Sequence, residues 1–357
     1  MGETSSPSPR LRCSLERHSF VDTIATPTLW AVTIGAVLAL LVVDFIATRK
    51  PHEVSMREAI AWSAFYIALP LAFGGYVWSQ HGSERGVEYY TGYLVEKTLS
   101  VDNLFVFMLL LAAFAVPAAL QQRVLLYGIV GALVLRGIFI ALGAAALSAF
   151  DFVFLIFGLV LLLTGLKLLR DALRGEEHQT EVEDMRIVKL VRRVMPVTDT
   201  YEGPKMLTRI TENGRARRAL TPLALVVVAV FATDVVFAID SVPAVYGITG
   251  DPYLVFATNA FALLGLRALY FVLEGALAKL VHLSYGLAAI LGFIGVKLVL
   301  HWAHMIWKDV PEVPTLGSLA VILGILAITT TTSLIASARA ERAAAEAEAE
   351  QDAPASV

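Results

Sequence analysis

Residues 152–163 read FVFLIFGLVLLL, twelve positions without a polar side chain. Stretches of this kind, each about 18 residues or longer, recur near 30–47, 60–79, 92–115, 124–147, 150–170, 221–243, 253–274, 282–303 and 316–336. In hydrocarbon every backbone amide must find its partner inside the protein, which leaves helices or a closed β-barrel. A barrel would show ten-residue segments of alternating polarity rather than unbroken apolar runs. The chain therefore reads as an all-α polytopic membrane protein of about nine transmembrane helices. With 57% hydrophobic and 17% charged residues, the composition is too apolar for a water-soluble globule.

The polar ends and connections divide the chain further. Residues 1–29 are rich in Ser and Pro and lack the n-region and h-region of a cleaved leader, so the first apolar run, closed by Arg49 and Lys50, reads as a retained anchor. Residues 30–79 hold two peripheral spans, 88–170 three, 171–220 a polar linker, 221–303 three more, 316–336 the ninth, and 337–357 an Ala/Glu-rich tail. Lys and Arg total 5 in the connections on the N-terminal side and 18 on the other. The positive-inside rule then puts the N-terminus outside and the C-terminus in the cytoplasm of a cell-membrane protein. The linker mixes basic residues with EEHQTEVEDM, which suits a solvated element, helical around 184–195, better than a nucleic-acid patch. A single cysteine, Cys13, excludes intrachain disulfides and thiolate clusters.

Charges inside the apolar runs repeat in order. EKTLSVDNLFVF places Glu96 six residues before Asp102 and Asn103; DVVFAIDSVPAV places Asp234 six residues before Asp240 and Ser241. The next span of each half carries an arginine, Arg136 in LVLRGIFIALG and Arg267 in LGLRALYFVLEG, and the third a lysine, Lys167 in GLKLL and Lys297 in GVKLVL. Three matches in one order point to a duplicated three-span unit. Three spans per unit turn the second upside down, an inverted repeat of the kind that secondary transporters build around a midplane site.

Four acids at helix centres would oppose insertion by about 10 kcal/mol if uncompensated. Arg136 and Arg267 are candidate structural partners for two of them. Lys167 and Lys297 sit late in their spans, where snorkelling is the bland reading; Lys97 and Glu274 stay undivided between structural and functional roles. Asp102, Asn103, Asp240 and Ser241, opposed from two antiparallel units, offer hard oxygen donors suited to Mg²⁺, Ca²⁺ or Mn²⁺. His301 and His304 have ligand spacing but lie at a span end and read as interfacial. Six residues on a helix leave Glu96 and Asp102 about 120° and about 9 Å apart, so either the outer acid belongs to an access path or the helix is interrupted. Pro243 makes a break near Asp240 plausible in the second unit. Asp240 also lies nearer its span end than Asp102, so the two share a depth only if that span is broken or runs beyond Tyr246.

EYYTGYLVEKTLSVDNLFVF (88–107), FATDVVFAIDSVPAV (231–245) and TNAFALLGLRALYF (258–271) together resemble the TerC family of integral membrane proteins, and its Alx-type members most. The resemblance runs from about Asp44 to Lys297. It implies association with tellurium resistance or manganese export, and acidic-motif residues at Glu96, Asp102, Asn103, Asp234, Asp240 and Ser241, with Asn259 in the third motif. Asp44 matches a family acid as well as it matches an interfacial charge facing Arg49. Tellurite is an oxyanion and would call for converging cations, so a divalent cation suits these carboxylates better.

The expected function is therefore a secondary transporter, not an enzyme, exporting a divalent cation, Mn²⁺ by preference, against protons, with Mn²⁺ as cargo and no bound cofactor. The alternative is a membrane scaffold or metal chaperone acting through the linker. An intramembrane aspartyl protease would call for YD and GxGD settings where this chain has VD and ID, and no GxxxxGK loop is present for a primary pump. Expected partners are membrane lipid, the metal ion and protons; a homo-oligomer is left open and nucleic acid is not expected.

Overall fold

The computed structural model describes residues 23–47, 55–174, 188–273 (less 189, 192, 194, 199, 202, 213 and 214) and 281–351. Cys13, Arg49, Glu274 and the linker stretch 175–187 lie outside the described residues. The order is α1 (Pro27–Ala47), α2 (Met56–Ala113), α3 (Ala118–Ala149), α4 (Val153–Arg174), β1 (Leu207–Glu212), β2 (Arg215–Leu220), α5 (Pro222–Tyr246), α6 (Pro252–Leu264), α7 (Leu266–Leu273), α8 (Leu283–Ile306) and α9 (Thr315–Gln351). Among the described residues seven segments are long and apolar enough to cross a membrane: α1, α3, α4, α5, α6 with α7, α8 and the first 26 residues of α9. At 1.5 Å per residue, the 21 residues of α1 span about 31 Å, the thickness of the hydrocarbon layer.

The expected spans at 60–79 and 92–115 fall in α2, which is not among those seven, and α2 is not straight. Tyr90 Oη donates to the carbonyl of Leu71 at 2.8 Å, whereas 19 residues of continuous helix would separate them by about 28 Å along the axis. The reversal is at Gly82, whose φ of +88° is open to glycine and costly to other residues. Two antiparallel arms result, 56–81 and 83–113. They close tightly because Gly74 has no side chain: a Cβ there would lie 2.5 Å from the ring of Tyr90.

Three contacts set how the remaining helices run. Gly128 meets Val230, Arg136 meets Asp234, and Gly143 meets Tyr246, so α3 and α5 run parallel. Gly92 meets Thr258 and Lys97 donates to the carbonyl of Ala262, so the second arm of α2 and α6 run parallel too. Gly158 faces Gly295 while Gly165 faces Ala288, so α4 and α8 cross antiparallel. Small residues at that crossing let the two backbones touch, the usual device for helix association in lipid.

The linker adds what the sequence reading did not include, a two-stranded antiparallel hairpin of β1 and β2 with Leu207 opposite Leu220 and Arg209 opposite Arg218. Of the stretch expected to be helical, residues 188, 190, 191 and 193 are helical. Tyr201 fastens the linker to the bundle by donating to the carbonyl of Phe114, at the end of α2. At this end Leu104–Leu111 of α2 pack with Leu223–Val230 of α5; at the other, Val95 and Leu99 pack with Val242–Tyr246.

Candidate functional site

Arg136 projects from α3 into the middle of the bundle and is 1% exposed. Its guanidinium is paired with Glu96 of α2, from Nη1, and lies 3.5 Å from Asp234 Oδ1 of α5, from Nη2. Both carboxylates are as buried as the arginine. Asn103, two turns along α2 from Glu96, completes the group: with its amide oriented by the hydrogen-bond network, Oδ1 accepts from Arg136 Nη2 at 3.1 Å and Nδ2 donates to the carbonyl of Leu99 at 3.1 Å. One cation thus holds an acid from each half of the chain. One cation offsets one of the two carboxylates, so with both ionised the buried group keeps a net negative charge in a low-dielectric interior.

Asp102 and Asp240 occupy different positions. Both are half-buried, and Asp240 lies within the electrostatic reach of Arg136 and of Asp102. The difference in depth expected from the span boundaries does not take them out of each other's field, although α5 ends at Tyr246. Neither helix breaks to achieve this: Gly82 is the sole non-helical position inside α2, and α5 continues through Pro243. The expected interruption at Pro243 is therefore corrected. Pro243 costs α5 one backbone bond near its C-terminal end, where the helix has little left to propagate. With both helices intact, Glu96 and Asp102 lie about 120° apart around α2, and Glu96 is the one paired with Arg136.

Around this centre several buried polar groups have no hydrogen-bond partner among the described residues, including the hydroxyls of Ser100 and Ser241 and both amide atoms of Asn259. Gly92 packs between Val245 and Thr258, which sets Ser241 and Asn259 beside the same turns of α2 that carry Glu96. Among the described residues no three His, Cys, Asp or Glu side chains gather closely enough to hold a metal ion. Oxygen donors are abundant but spread along the interface.

The second arginine is bound elsewhere. Arg267 Nη2 pairs with Asp44 Oδ1 of α1 at 2.8 Å, and its Nη1 donates to Gln122 Oε1 at 3.1 Å. Asp44 thus has a buried cationic partner inside the bundle. Lys167 is exposed on α4, as a snorkelling residue would be, whereas Lys297 is half-buried. Lys297 lines a cavity of about 530 Å³ with Glu84, Arg85, Glu88, His301 and Glu312. Tyr246, one and a half turns beyond Asp240, forms part of its wall. His301 and His304 do not act together: the first bonds Glu312 at 2.7 Å and the second the carbonyl of Val310 at 2.6 Å, both tying the span end to the loop before α9.

Sequence reasoning left Lys97 undivided, and here it reaches the carbonyl of Ala262 at the C-terminal end of α6 (3.3 Å), where a cation favours the helix dipole; it missed Gln122, which lies in the first turns of α3 and carries no motif. It also missed Glu88, buried and held by Arg85 (2.9 Å) and Thr249 (2.8 Å). A Glu three residues after an Arg was the available signal.

Residues 81–341 match the description "Integral membrane protein TerC family". An uncharacterized membrane protein of Myxococcus xanthus is 41% identical over 325 residues, covering 91% of this chain and 97% of its own length. An uncharacterized membrane protein of Mycobacterium tuberculosis (strain ATCC 25618 / H37Rv) is 43% identical over 334 residues, 90% of this chain and 83% of its own. The protein of Escherichia coli (strain K12) named "Putative membrane-bound redox modulator Alx" is 40% identical over 319 residues, 87% of this chain and 95% of its own. No solved structure matches. With the family's description matched over most of its length and relatives aligned nearly end to end, the chain belongs to the TerC family of integral membrane proteins.

Proposed function

We propose that the chain is a secondary transporter of the cell membrane that exports a divalent cation, Mn²⁺ by preference, in exchange for protons. In this reading it has nine crossings, the two arms of α2 adding to the seven apolar spans, with the N-terminus outside and the C-terminus in the cytoplasm. It works without chemistry on its substrate. Its two units, the arm 83–113 with α3 and α4 and then α5 with α6–α7 and α8, form inverted repeats. The pairing supports this. The first helix of each unit lies parallel to the second of the other, and the two third helices cross antiparallel, as a two-fold axis in the membrane plane requires. Exchanging the units also maps the Gly158–Gly295 contact onto the Ala288–Gly165 contact, and both are present.

The observation that carries the function is charge at the meeting of the units. Glu96 and Asp234 pair with a single guanidinium, Asp240 lies in its field and Asp102 in the field of Asp240, while Lys97 reaches the carbonyl of Ala262. Four ionised carboxylates against one arginine leave three negative charges, which a divalent cation and one proton would balance. Carboxylate, amide and hydroxyl oxygens suit Mn²⁺, Mg²⁺ or Ca²⁺ and offer an oxyanion such as tellurite little. Asp102 and Asp240, half-buried and in each other's field, are the groups that alternate between metal and proton. The cavity beyond Tyr246 serves as the outer vestibule.

Uptake of radioactive Mn²⁺ into inverted membrane vesicles tests the proposal. Asp102→Asn and Asp240→Asn should each lower the initial rate at least about ten-fold, the loss of one strong charge-assisted ligand, while the protein still folds. Rates equal to wild type in both variants would remove these residues from any transport mechanism. A wild-type rate no higher than empty vesicles would leave the chain as a scaffold acting through residues 171–220.

A further inference from the structure

We propose that the outward face of the β1–β2 hairpin is a headgroup-binding surface for anionic phospholipid. The hairpin register puts Arg209 directly opposite Arg218, and Leu207 opposite Leu220, two residues closer to the bundle. Alternation along a strand sets these four side chains on one face. The other face carries Thr208 and Ala219, and Ala219 is fully buried, so the hairpin rests on that side. Arg209 and Arg218 are exposed, and Leu207 is 50% exposed beside them.

Two like charges at directly paired strand positions destabilise a hairpin in water. Neither Arg209 nor Arg218 has an ion-pair or hydrogen-bond partner among the described residues. The arrangement becomes favourable when phosphates bridge the pair, because each guanidinium presents a planar fork to phosphate oxygens. Position supplies the phosphates. β2 runs directly into α5, with Leu220 and Pro222 separated only by Thr221, whose hydroxyl caps the helix. The 25 residues of α5 measure about 37 Å against a hydrocarbon layer of about 30 Å, so the helix starts only a few ångströms outside that layer. Two residues of strand add at most about 7 Å. The arginine pair therefore stands in, or at the edge of, the headgroup region, and an exposed leucine lies on its membrane side. Apolar residues next to arginines at that depth suit a lipid surface better than open solvent.

The test compares phosphatidylglycerol with phosphatidylcholine retained by the purified full-length protein, read by native mass spectrometry. Wild type should hold phosphatidylglycerol in preference, and the preference should fall as salt is raised. In the Arg209→Ala/Arg218→Ala pair the affinity should drop about 25-fold, since one basic residue near an anionic surface is worth about five-fold. The Arg209→Lys/Arg218→Lys pair, which keeps the charge, should retain most of it. Equal retention of the two lipids by wild type, or undiminished phosphatidylglycerol affinity in the alanine pair, would overturn the proposal. Retention of a poly-glutamate peptide without lipid preference would overturn it too, by assigning the face to an acidic protein segment such as the chain's own residues 176–184. If the alanine pair does not fold, the wild-type lipid preference and its salt titration decide the matter without it.

Discussion

Arg136 and Arg267 hold corresponding places in two similar motifs, yet one sits at the centre of the molecule and the other near its edge. Arg136 is shared by Glu96 and Asp234, one acid from each unit. Arg267 lies beyond the interruption at Gly265, where Asp44 of α1 and Gln122 of α3 hold it. Sequence equivalence did not produce equivalent partners. If the two units are inverted repeats, as proposed, the reason is electrostatic: an axis relating them has room near it for one guanidinium between two carboxylates, while two would repel at short range in a low dielectric. Such a break in the symmetry leaves one arginine shared between the two outer acids and frees the other to attach α1.

If that difference is real, removing the two arginines must have unequal consequences. Arg136→Ala strands two buried carboxylates and should cost at least the roughly 5 kcal/mol at the top of the range for a broken buried pair. Most of the protein should then fail to accumulate in the membrane, measured as folded yield by size-exclusion chromatography. Restoring the yield should require Glu96→Gln and Asp234→Asn together, because either alone leaves one uncompensated charge. Rescue by one of them would show that the arginine serves a single acid.

Arg267→Ala should be milder, about 3 kcal/mol, because only Asp44 loses its cation and one change, Asp44→Asn, should restore it. The measurement is the melting temperature in detergent of the single and double variants. A coupling energy below about 0.5 kcal/mol would show that the Asp44–Arg267 pair, though 2.8 Å long, contributes nothing to holding α1.

What could be read in advance follows the same division. Hydropathy located seven of the nine expected spans, and the six-residue spacing of Glu96 to Asp102 and Asp234 to Asp240 marked the acids, because both are patterns along one helix. Partner choice was not legible, since Arg136 meets Asp234 and Arg267 meets Asp44 across large sequence separations that no local pattern encodes. The hairpin could have been found: Asn213-Gly214 between two short runs is a strong two-residue turn signal. It was obscured by reading the linker for charge alone. Pro243 misled in the opposite direction, because a proline near a helix end removes only one of the last bonds and leaves the helix intact.

Where the two units remain symmetric, equivalent substitutions should have equal effects. Gly165 and Gly295 hold corresponding places at the α4–α8 crossing: a Cβ on Gly165 would lie 3.0 Å from the carbonyl oxygen of Ala288, and one on Gly295 would lie 2.9 Å from that of Gly158. Gly165→Ala and Gly295→Ala should each cost about 2 kcal/mol, the usual penalty for overpacking, and their thermal shifts should agree closely. Shifts differing by more than the energy of one packed methyl, about 1 kcal/mol, would mean that the crossing is no more symmetric than the arginines.

The smallest contrast lies where the first helix of each unit ends. After α2 the chain turns through Ala115 at φ +47°, a left-handed conformation that costs an alanine about 1–2 kcal/mol. After α5 the capping residue is Gly247, whose φ of −69° any residue adopts. The glycine is thus on the wrong cap if conformation were the reason for it. Space is the reason: a Cβ on Gly247 would lie 2.5 Å from Ile294 Cγ2 of α8. Ala115→Gly should therefore raise stability by about 0.5–1 kcal/mol, the strain removed less the added freedom of glycine in the unfolded chain. Gly247→Ala should lower it although its backbone is unstrained. A melting temperature unchanged by Ala115→Gly would mean that the strain is already offset by the contacts around Phe114, where Tyr201 of the linker binds the same turn.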